Sequence, residues 1–256
     1  MCLILFAFRS HPDYPLVLAA NRDEFLDRPT LKASFWEDSP GIIGGRDLKC
    51  GGTWLGVSIR GRLAAVTNYR EPGLAQSGAP SRGLLVKDFL TSDLSPTAYL
   101  DRLVETASKY NGFNLLVWEN GDLGYYSNRS GMPAVSLSAG VHGLSNDLLD
   151  TPWPKVEAGK RALEDLIDDD RLSSESLLEL LLSRDVAPDD RLPDTGVGLE
   201  TERALSPMFI RSNGYGTRCS TAILIDNHSI ISILERSYDA AGDVTDAVEF
   251  ELRTAE

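Results

Sequence analysis

The sequence predicts an α+β fold in which largely antiparallel sheets pack on each other and helices cover them from outside. Strand candidates come in pairs joined by short turns, which is typical of hairpins and therefore of antiparallel sheets. The strands nearest the N-terminus are apolar on both faces, so layers have to cover both sides. The helix candidates each have a single apolar face, which suits an outer layer.

Strand candidates occur throughout the chain. Residues 3–8 and 15–20 are apolar runs around a His-Pro-Asp-Tyr turn, so a buried hairpin opens the chain. Three more hairpins are predicted around Arg-Gly, Asn-Gly and Asp-Asn-His turns, with strands at residues 54–59 and 63–68, 113–118 and 123–127, and 221–225 and 229–235.

Helices are predicted in the middle of the chain. The clearest begins with Ser95 as N-cap and Pro96 at the first helical position. Two more cover residues 153–168 and 173–184, where apolar residues recur on one face. Residues 187–211 are rich in Pro, Asp and Gly and show no period, so we expect a long surface excursion there.

The composition is that of a globular chain and limits the classes of partner. The 256 residues carry a net charge of −13, with 42% hydrophobic and 25% charged residues, and no repeat or linker divides them, so we expect one domain over residues 1–256. The acidic balance argues against a nucleic-acid partner, because phosphate binding needs clustered Lys and Arg. Residues 161–194 carry net −7 and residues 1–83 net +2, so an anionic small molecule is compatible with the N-terminal part.

The sequence favours a cytoplasmic protein without an integral membrane segment. No stretch reaches the roughly 18 apolar residues of a membrane helix, and the short run after Met1 lacks the features of a secretory leader. Three cysteines, Cys2, Cys50 and Cys219, are too few for a disulfide framework, which favours reduced thiols. The His and Cys residues do not have zinc-ligand spacing, so no metal site is expected. The sequence contains no signal for an oligomeric state.

Cys2 is the first candidate for chemistry, because removal of Met1 would make it the N-terminal residue. A thiol and an α-amine would then share one residue, with ordinary pKa values of about 8.5 and about 7.7 to 8.0, so the amine could accept the thiol proton without a histidine. With Met1 retained, the Cys2 nitrogen is an amide and cannot act as a base. A cysteine here is also compatible with a small apolar residue that opens a strand.

Polar groups that follow the second apolar run are candidates to surround Cys2. Asn21, Arg22, Asp23 and Glu24 come directly after that run, and antiparallel pairing with the first run would bring them beside Cys2. Arg22 could bind a carboxylate or lower the thiol pKa, and Asp23 could orient an α-ammonium group. In a continuing strand, however, Arg22 and Asp23 would face opposite sides. The alternative is a surface turn with a weak salt bridge.

Further candidates lie at other strand ends. Asn68 and Asn146 each close an apolar run, and an asparagine amide can donate to a developing oxyanion, although each also fits a turn. Arg218 precedes a buried strand and needs an anionic partner, either Asp23 or a ligand. Three more residues are candidates for ligand contacts. Trp54 is an aromatic ring in a glycine-rich segment, where the backbone has to approach something closely, and Tyr69 and Arg70 follow Asn68 directly.

Seven segments of the sequence occur in the order found in a known family. They are Cys2, Asn21-Arg22-Asp23-Glu24, Gly51-Gly52-Thr53-Trp54-Leu55-Gly56, Thr67-Asn68-Tyr69-Arg70, Ser81-Arg82-Gly83, Gly143-Leu144-Ser145-Asn146 and Gly216-Thr217-Arg218. With them, the chain from Cys2 to about Glu235 resembles the NRDE proteins, the transport and Golgi organization protein 2 family. That family is grouped with the N-terminal nucleophile hydrolases, so the resemblance implies a four-layer αββα sandwich.

The grouping also implies roles for the candidate residues. By resemblance to the choloylglycine hydrolase and penicillin V acylase branch, Cys2 would be the nucleophile and, through its amine, the base. Asp23 would orient that amine. Arg22 and Arg218 would be polarising cations. Asn68 and Asn146 would be oxyanion or amine partners.

The resemblance supports a leading hypothesis and two alternatives. Members of the family are associated with haem trafficking and with acyl-CoA or lipid homeostasis, so the leading hypothesis is a cytoplasmic protein that binds or traffics such an amphipathic anionic metabolite. No cofactor is required, and haem would be a bound ligand. His11, His142 and His228 lie in turns or beside glycine and are weak candidates for an axial ligand. The alternatives are an amidohydrolase that cleaves a linear amide with Cys2, and a non-catalytic adaptor.

Overall fold

The computed structural model describes residues 2–254, which group into two compact units. The first contains residues 2–27, 139–145 and 149–251, and the second contains residues 28–138, 146–148 and 252–254. The expectation of a single domain stays a prediction, because a grouping by contacts does not decide whether either unit folds alone.

Strands dominate the described chain. They are β1 (Cys2–Phe8), β2 (Leu16–Phe25), β3 (Thr30–Trp36), β4 (Ser39–Asp47), β5 (Leu55–Ser58), β6 (Leu63–Asn68), β7 (Phe113–Glu119), β8 (Asp122–Ser127), β9 (Val135–Ser136), β10 (Gly140–Leu144), β11 (Arg211–Ser212), β12 (Tyr215–Ile225), β13 (Ile230–Tyr238) and β14 (Val244–Arg253). The helices are α1 (Gly83–Thr91), α2 (Pro96–Val104), α3 (Pro154–Asp168), α4 (Ser174–Leu180) and α5 (Leu199–Leu205). No helix within residues 2–254 is long and apolar enough to span a membrane.

The first unit is built on a sheet with the strand order β10-β1-β2-β12-β13-β14, and β11 pairs with β12. The pairs along β1, β2 and β12 are antiparallel. One face packs against α3 and α4 through apolar side chains of strands and helices: Leu3, Leu5, Val17, Ala19, Val156, Leu163, Leu177 and Leu178. Ile4, Phe6 and Leu18 point to the other face and are buried as well. Burial on both faces explains why the two N-terminal runs show no polar alternation.

The second unit has a sheet with the order β3-β4-β5-β6-β7-β8-β9. The helices α1 and α2 supply Leu85, Phe89 and Leu100 to a core with strand residues that include Val66 and Leu115. The chain before β5 approaches the start of α1 closely, as the glycine-rich segment predicts. A Cβ atom on Gly52 would lie 2.4 Å from the carbonyl carbon of Gly83, so a larger residue at position 52 would push the chain before β5 away from the start of α1.

The predicted hairpins and helix starts are confirmed. The strand at residues 63–68 has the predicted bounds. Most other hairpin strands differ by one to three residues at their ends, but β12 begins six residues before the predicted strand and β2 ends five residues after it. The Ser95 hydroxyl accepts a hydrogen bond from the Ala98 N–H and caps α2. At α4, Ser173 and Ser176 form a reciprocal capping box.

Two expectations from the sequence are wrong. Residues 21–24 do not follow the second strand but lie within β2, because its ladder with β12 continues from Leu16 to Phe25. Residues 187–211 are not a surface excursion throughout, since α5 forms there and residues 208–210 are buried. The short apolar stretches in this segment are separated by acids and prolines, so they show no helical period although they reach the core.

Candidate functional site

A row of sulfur and guanidinium groups crosses the end of the first sheet. In the ladders of β2, Arg22 lies directly opposite Cys2 on one side and directly opposite Cys219 on the other. Residues opposite each other in a sheet project to the same face. The side chains of Cys2, Arg22 and Cys219 therefore share one face of the sheet.

A bulge adds a second guanidinium to this row. The register of β12 shifts between Thr217 and Cys219, so Arg218 is the extra residue on that strand. One Arg218 nitrogen donates to the Phe25 carbonyl at 3.0 Å, at the end of β2. Burial and the like charge of Arg22 lower the pKa of Arg218. The bulge thus brings the Arg218 charge close enough to Arg22 for the two cations to interact, at the end of β2.

The residues on either side of Arg22 point to the opposite face, as expected for a continuous strand. The Asn21 amide donates to the carbonyls of Leu181 at 3.1 Å and Met208 at 2.9 Å. Asp23 is 2% exposed and accepts a hydrogen bond from the Thr217 hydroxyl at 2.7 Å. Burial raises the pKa of the Asp23 carboxyl, and the charge of Lys155 opposes this rise. Arg22 faces the thiol directly, whereas Asp23 acts on it from the other side of the strand.

Cys2 lies at the start of the buried strand and is partly exposed. Burial raises the pKa of its thiol, and the charge of Asp23 raises it further. Arg22 and a hydrogen bond from the Asp23 backbone N–H lower the pKa, but they do not cancel the effect of burial. The Ser145 hydroxyl donates to the Cys2 carbonyl at 3.2 Å. The thiol is therefore protonated at neutral pH in this arrangement. Whether Met1 is removed or retained concerns a residue outside the described range.

An aromatic pair lies at the same end of the sheet, and strand alternation puts it on the face of Asn21 and Asp23, opposite to Cys2 and Arg22. Phe25 is the last residue of β2 and is 59% exposed. Its ring contacts the Tyr215 ring edge to face, with the ring centroids 5.2 Å apart. Tyr215 is fixed by its hydroxyl, which donates to the Asp23 carbonyl at 2.9 Å. Glu24 lies between these features, 3.9 Å from an Arg22 nitrogen. Charged and apolar groups thus alternate over a few residues at this end of the sheet.

The remaining amide candidates lie in the second unit and form a network with the chain after β6. Asn146 is 1% exposed, and its side-chain amide donates to the Asn68 carbonyl at 2.8 Å. Its own carbonyl accepts the Arg70 N–H at 2.7 Å, and the Tyr69 N–H donates to the carbonyl of Gly112. Asn68, Tyr69, Arg70 and Asn146 are therefore brought together, with the Asn146 amide group turned to the backbone of Asn68.

Trp54 is half-buried in the same unit and packs against β4. A Cβ atom on Gly45 would lie 1.9 Å from the Trp54 ring, so the indole rests directly on the glycine backbone. The ring thus has a packing role at the start of β5, and its role in ligand binding stays a prediction.

Sequence reasoning missed several residues that hold the site. Lys155 is 4% exposed at the start of α3, and its ammonium donates to the Leu205 carbonyl at 2.9 Å. Thr217 and Ser145 hold Asp23 and Cys2 by single hydroxyl groups. A lone Lys, Thr or Ser carries no spacing signal, since its partner lies far away in the sequence. Within residues 2–254, no three His, Cys, Asp or Glu side chains converge on a position that could hold a metal ion.

Comparison with known proteins places this arrangement in a family. The family model described as "Transport and Golgi organisation 2" matches residues 1–240. The chain belongs to this family. The Transport and Golgi organization protein 2 homolog of Bos taurus is 40% identical over 93% of each chain, and the Drosophila melanogaster Transport and Golgi organization protein 2 is 30% identical over 93% of this chain and 92% of its own. The family resemblance predicted from the sequence is confirmed.

A solved structure supports the fold class. The C2A mutant of conjugated bile acid hydrolase from Clostridium perfringens matches with a TM-score of 0.51 at 8% sequence identity, covering 100% of this chain and 94% of that chain. At this level of identity the likeness concerns the fold alone. The predicted α+β class with antiparallel sheets, like that of the N-terminal nucleophile hydrolases, is thereby confirmed for this member of the Transport and Golgi organisation 2 family.

Proposed function

We propose that the chain binds an amphipathic anionic metabolite at the end of the first sheet, where Cys2, Arg22 and Arg218 lie together. The observation that carries this proposal is the placement of Arg22 opposite Cys2, with Arg218 in the adjoining bulge of β12. The ligand classes are a haem, through its propionates, and a long-chain acyl thioester, through its phosphates or carbonyl group. The family names mention transport, and a cytoplasmic carrier of such a metabolite is one way to read that word.

The electrostatics of the pair favour an anion. Arg22 is 5% exposed and lies near a second cation, whose pKa it lowers. Bringing like charges together costs free energy, which Glu24 and Asp27 offset in part and which an incoming carboxylate or phosphate would offset further. Guanidinium groups also present paired N–H donors that match the oxygens of either anion. The local charge thus supports a ligand with an acidic head.

The neighbouring aromatic pair supports the apolar part of the ligand. Phe25 exposes most of its ring beside the carbonyl that Arg218 binds. Tyr215 holds that ring edge to face, so its position is set before a ligand arrives. Because Phe25 faces the side opposite Arg22, an acid with an adjoining chain or ring system could contact both only around the end of β2, where Arg218 binds the Phe25 carbonyl.

Titration of the purified protein with haem and with palmitoyl-CoA tests the proposal. Arg218→Gln should weaken binding of the better of the two ligands by about tenfold or more, since a charge-assisted hydrogen bond is worth about 1.5 to 3 kcal/mol. Arg171→Gln is the matched control, because Arg171 is 60% exposed and pairs with Asp169 on the surface. Cys2→Ala should keep binding. Equal dissociation constants for Arg218→Gln and Arg171→Gln would contradict the proposal.

A cysteine amidohydrolase is the second candidate, and the position of Asp23 favours it. The Asp23 backbone contacts the Cys2 sulfur and its charge acts on the thiol, so an α-amine on Cys2 would have an acid nearby to orient it. The solved structure of similar fold is named a hydrolase of conjugated bile acid, with its Cys2 mutated. Here the substrate would be a linear amide of an amphipathic acid.

Intact mass and turnover separate the two candidates. A mass that lacks one methionine, with turnover of an N-acyl amino acid that Cys2→Ser and Cys2→Ala both abolish, would establish the hydrolase. A retained methionine with ligand binding intact would leave the carrier. If neither ligand binds and no amide is cleaved, the result favours an adaptor that keeps only the fold.

A further inference from the structure

A cluster of titratable side chains lies at the edge strand of the first sheet, outside the cations described above. One Asp150 carboxylate oxygen accepts hydrogen bonds from the Lys160 ammonium at 2.6 Å and the Gly143 N–H at 3.0 Å. The other oxygen lies 2.8 Å from His142 Nδ1. The His142 ring stacks on Phe6 of β1 at 5.1 Å. Side chains from β10, the following loop and α3 thus converge on one carboxylate.

This cluster closes the loop that follows β10. The Asp150 N–H donates to the Gly143 carbonyl at 2.8 Å, so Asp150 and Gly143 are joined by backbone and by side chain. Asp150 has a φ of 58°, in the left-handed region that costs a non-glycine residue about 1 kcal/mol. The hydrogen bonds to the carboxylate hold it there. Residues 144–149 are consequently pinned at both ends.

The first residue released from the ladder inside that loop is Ser145. Pairing between β1 and β10 ends at Ile4 opposite Leu144. Beyond this last ladder pair, a side chain makes the next contact between the two segments: the Ser145 hydroxyl donates to the Cys2 carbonyl. Ser145 lies two residues from Gly143 and directly after the last ladder pair, so we expect the closure of the loop to add to the ladder in holding the Ser145 hydroxyl near Cys2.

We propose that Asp150, held by His142 and Lys160, is a positioning residue for the Cys2 site, because it holds the Ser145 hydroxyl on the Cys2 carbonyl. The inference deepens the proposed function of that site and rests on it. Asp150 does not touch the thiol. It acts through Ser145, which sets the backbone that carries the sulfur.

Alkylation by iodoacetamide tests this clamp in the intact protein. Cys50 is exposed and serves as the internal reference, while Cys219 is buried. Asp150→Asn and Ser145→Ala should each raise the rate at Cys2, relative to Cys50, by about threefold or more, because the start of β1 opens more often. Lys160→Met should act in the same direction, and Lys160→Arg should restore the wild-type ratio. Peptide mass spectrometry reports the ratio.

Two controls separate positioning from general stability. Ser10→Ala removes a hydroxyl that donates to the Phe8 carbonyl at the other end of β1, and it should leave the ratio unchanged. The double variant Ser145→Ala with Asp150→Asn should show no further increase over either single change, since both act through one contact. Additive effects, or a wild-type ratio in Asp150→Asn, would overturn the clamp. The assay contains no ligand, so an altered ratio without haem or acyl-CoA binding would refute the proposed function and leave the clamp standing.

Discussion

The two units each bury an arginine, and they hold it in different ways. Arg62 in the second unit is 0% exposed, and its guanidinium donates to the carbonyls of Ser92 and Leu94. It also lies 4.1 Å above the Phe89 ring. Arg22 in the first unit is 5% exposed, faces Cys2 across the ladder and lies close enough to a second arginine to lower its pKa.

The difference separates an arginine that supports the fold from an arginine of the candidate site. The carbonyls to which Arg62 donates lie in the short connection between α1 and α2, outside helices and strands, where buried backbone acceptors need other partners. Its burial thus completes the fold. Arg22 lies beside a like charge, which lowers stability, and such local conflicts are typical of functional sites. Four substitutions test this contrast.

Arg62→Met should have the largest effect on stability. It leaves the carbonyls between α1 and α2 and the partly buried Glu119, 3.5 Å from Arg62 Nε, without their cation. We expect a loss of about 3 kcal/mol in the free energy of unfolding, measured by urea denaturation. Arg60→Met is the matched control, because Arg60 is 53% exposed and should cost less than about 1 kcal/mol. Similar losses for both would remove the distinction between the buried and the exposed cation.

Asp150→Asn extends the contrast to an acid that its partners hold. Although burial opposes ionisation, hydrogen bonds from His142, Lys160 and the Gly143 N–H bring the pKa of Asp150 down to about 2. A carboxyl whose pKa falls on folding stabilises the protein above the unfolded value, near 3.8, and loses this contribution as the pH falls through about 2. The wild type should therefore be more stable than Asp150→Asn by about 1 kcal/mol at pH 6, since the partly exposed group is screened by solvent.

Acid titration of stability checks this prediction. The difference between wild type and Asp150→Asn should shrink between pH 4 and pH 2. A constant difference across that range would mean that the substitution acts through shape and not through charge.

The contrast between the arginines also shows what the sequence could predict. The pairing of Cys2 with Arg22 follows from two adjacent apolar runs and a short turn, and antiparallel geometry then brings the end of one beside the start of the other. The bulge at Arg218 leaves no mark in the sequence, because one extra residue in a strand changes no apolar period. Arg62 gave no signal either, since its carbonyl partners are backbone atoms about thirty residues away.

Arg22→Met should cost less than about 1 kcal/mol of stability, because it removes a buried charge together with its repulsion of Arg218, and the Glu24 carboxylate that it leaves, 3.9 Å away, is partly exposed to water. The effect should appear in the thiol. The charge of Arg22 lowers the pKa of Cys2, so its removal should raise that pKa and slow alkylation of Cys2 at pH 8 by about threefold relative to Cys50. An unchanged pH profile would place the guanidinium too far from the sulfur to act on it.

Asp23→Asn should change stability least, and the pH dependence of its effect should have the opposite sign to that of Asp150→Asn. Burial raises the pKa of Asp23, and the charge of Lys155 only partly opposes this. A carboxyl whose pKa rises on folding adds stability below its unfolded pKa, and that contribution is lost as the pH rises through the folded value. As the pH falls from 7 toward 4, wild type should therefore gain stability relative to Asp23→Asn, whereas it loses its advantage over Asp150→Asn on further acidification. Opposite slopes of the stability difference against pH would distinguish the desolvated Asp23 from the paired Asp150. Parallel slopes would mean that the partners of Asp23 stabilise its charge as fully as those of Asp150 do.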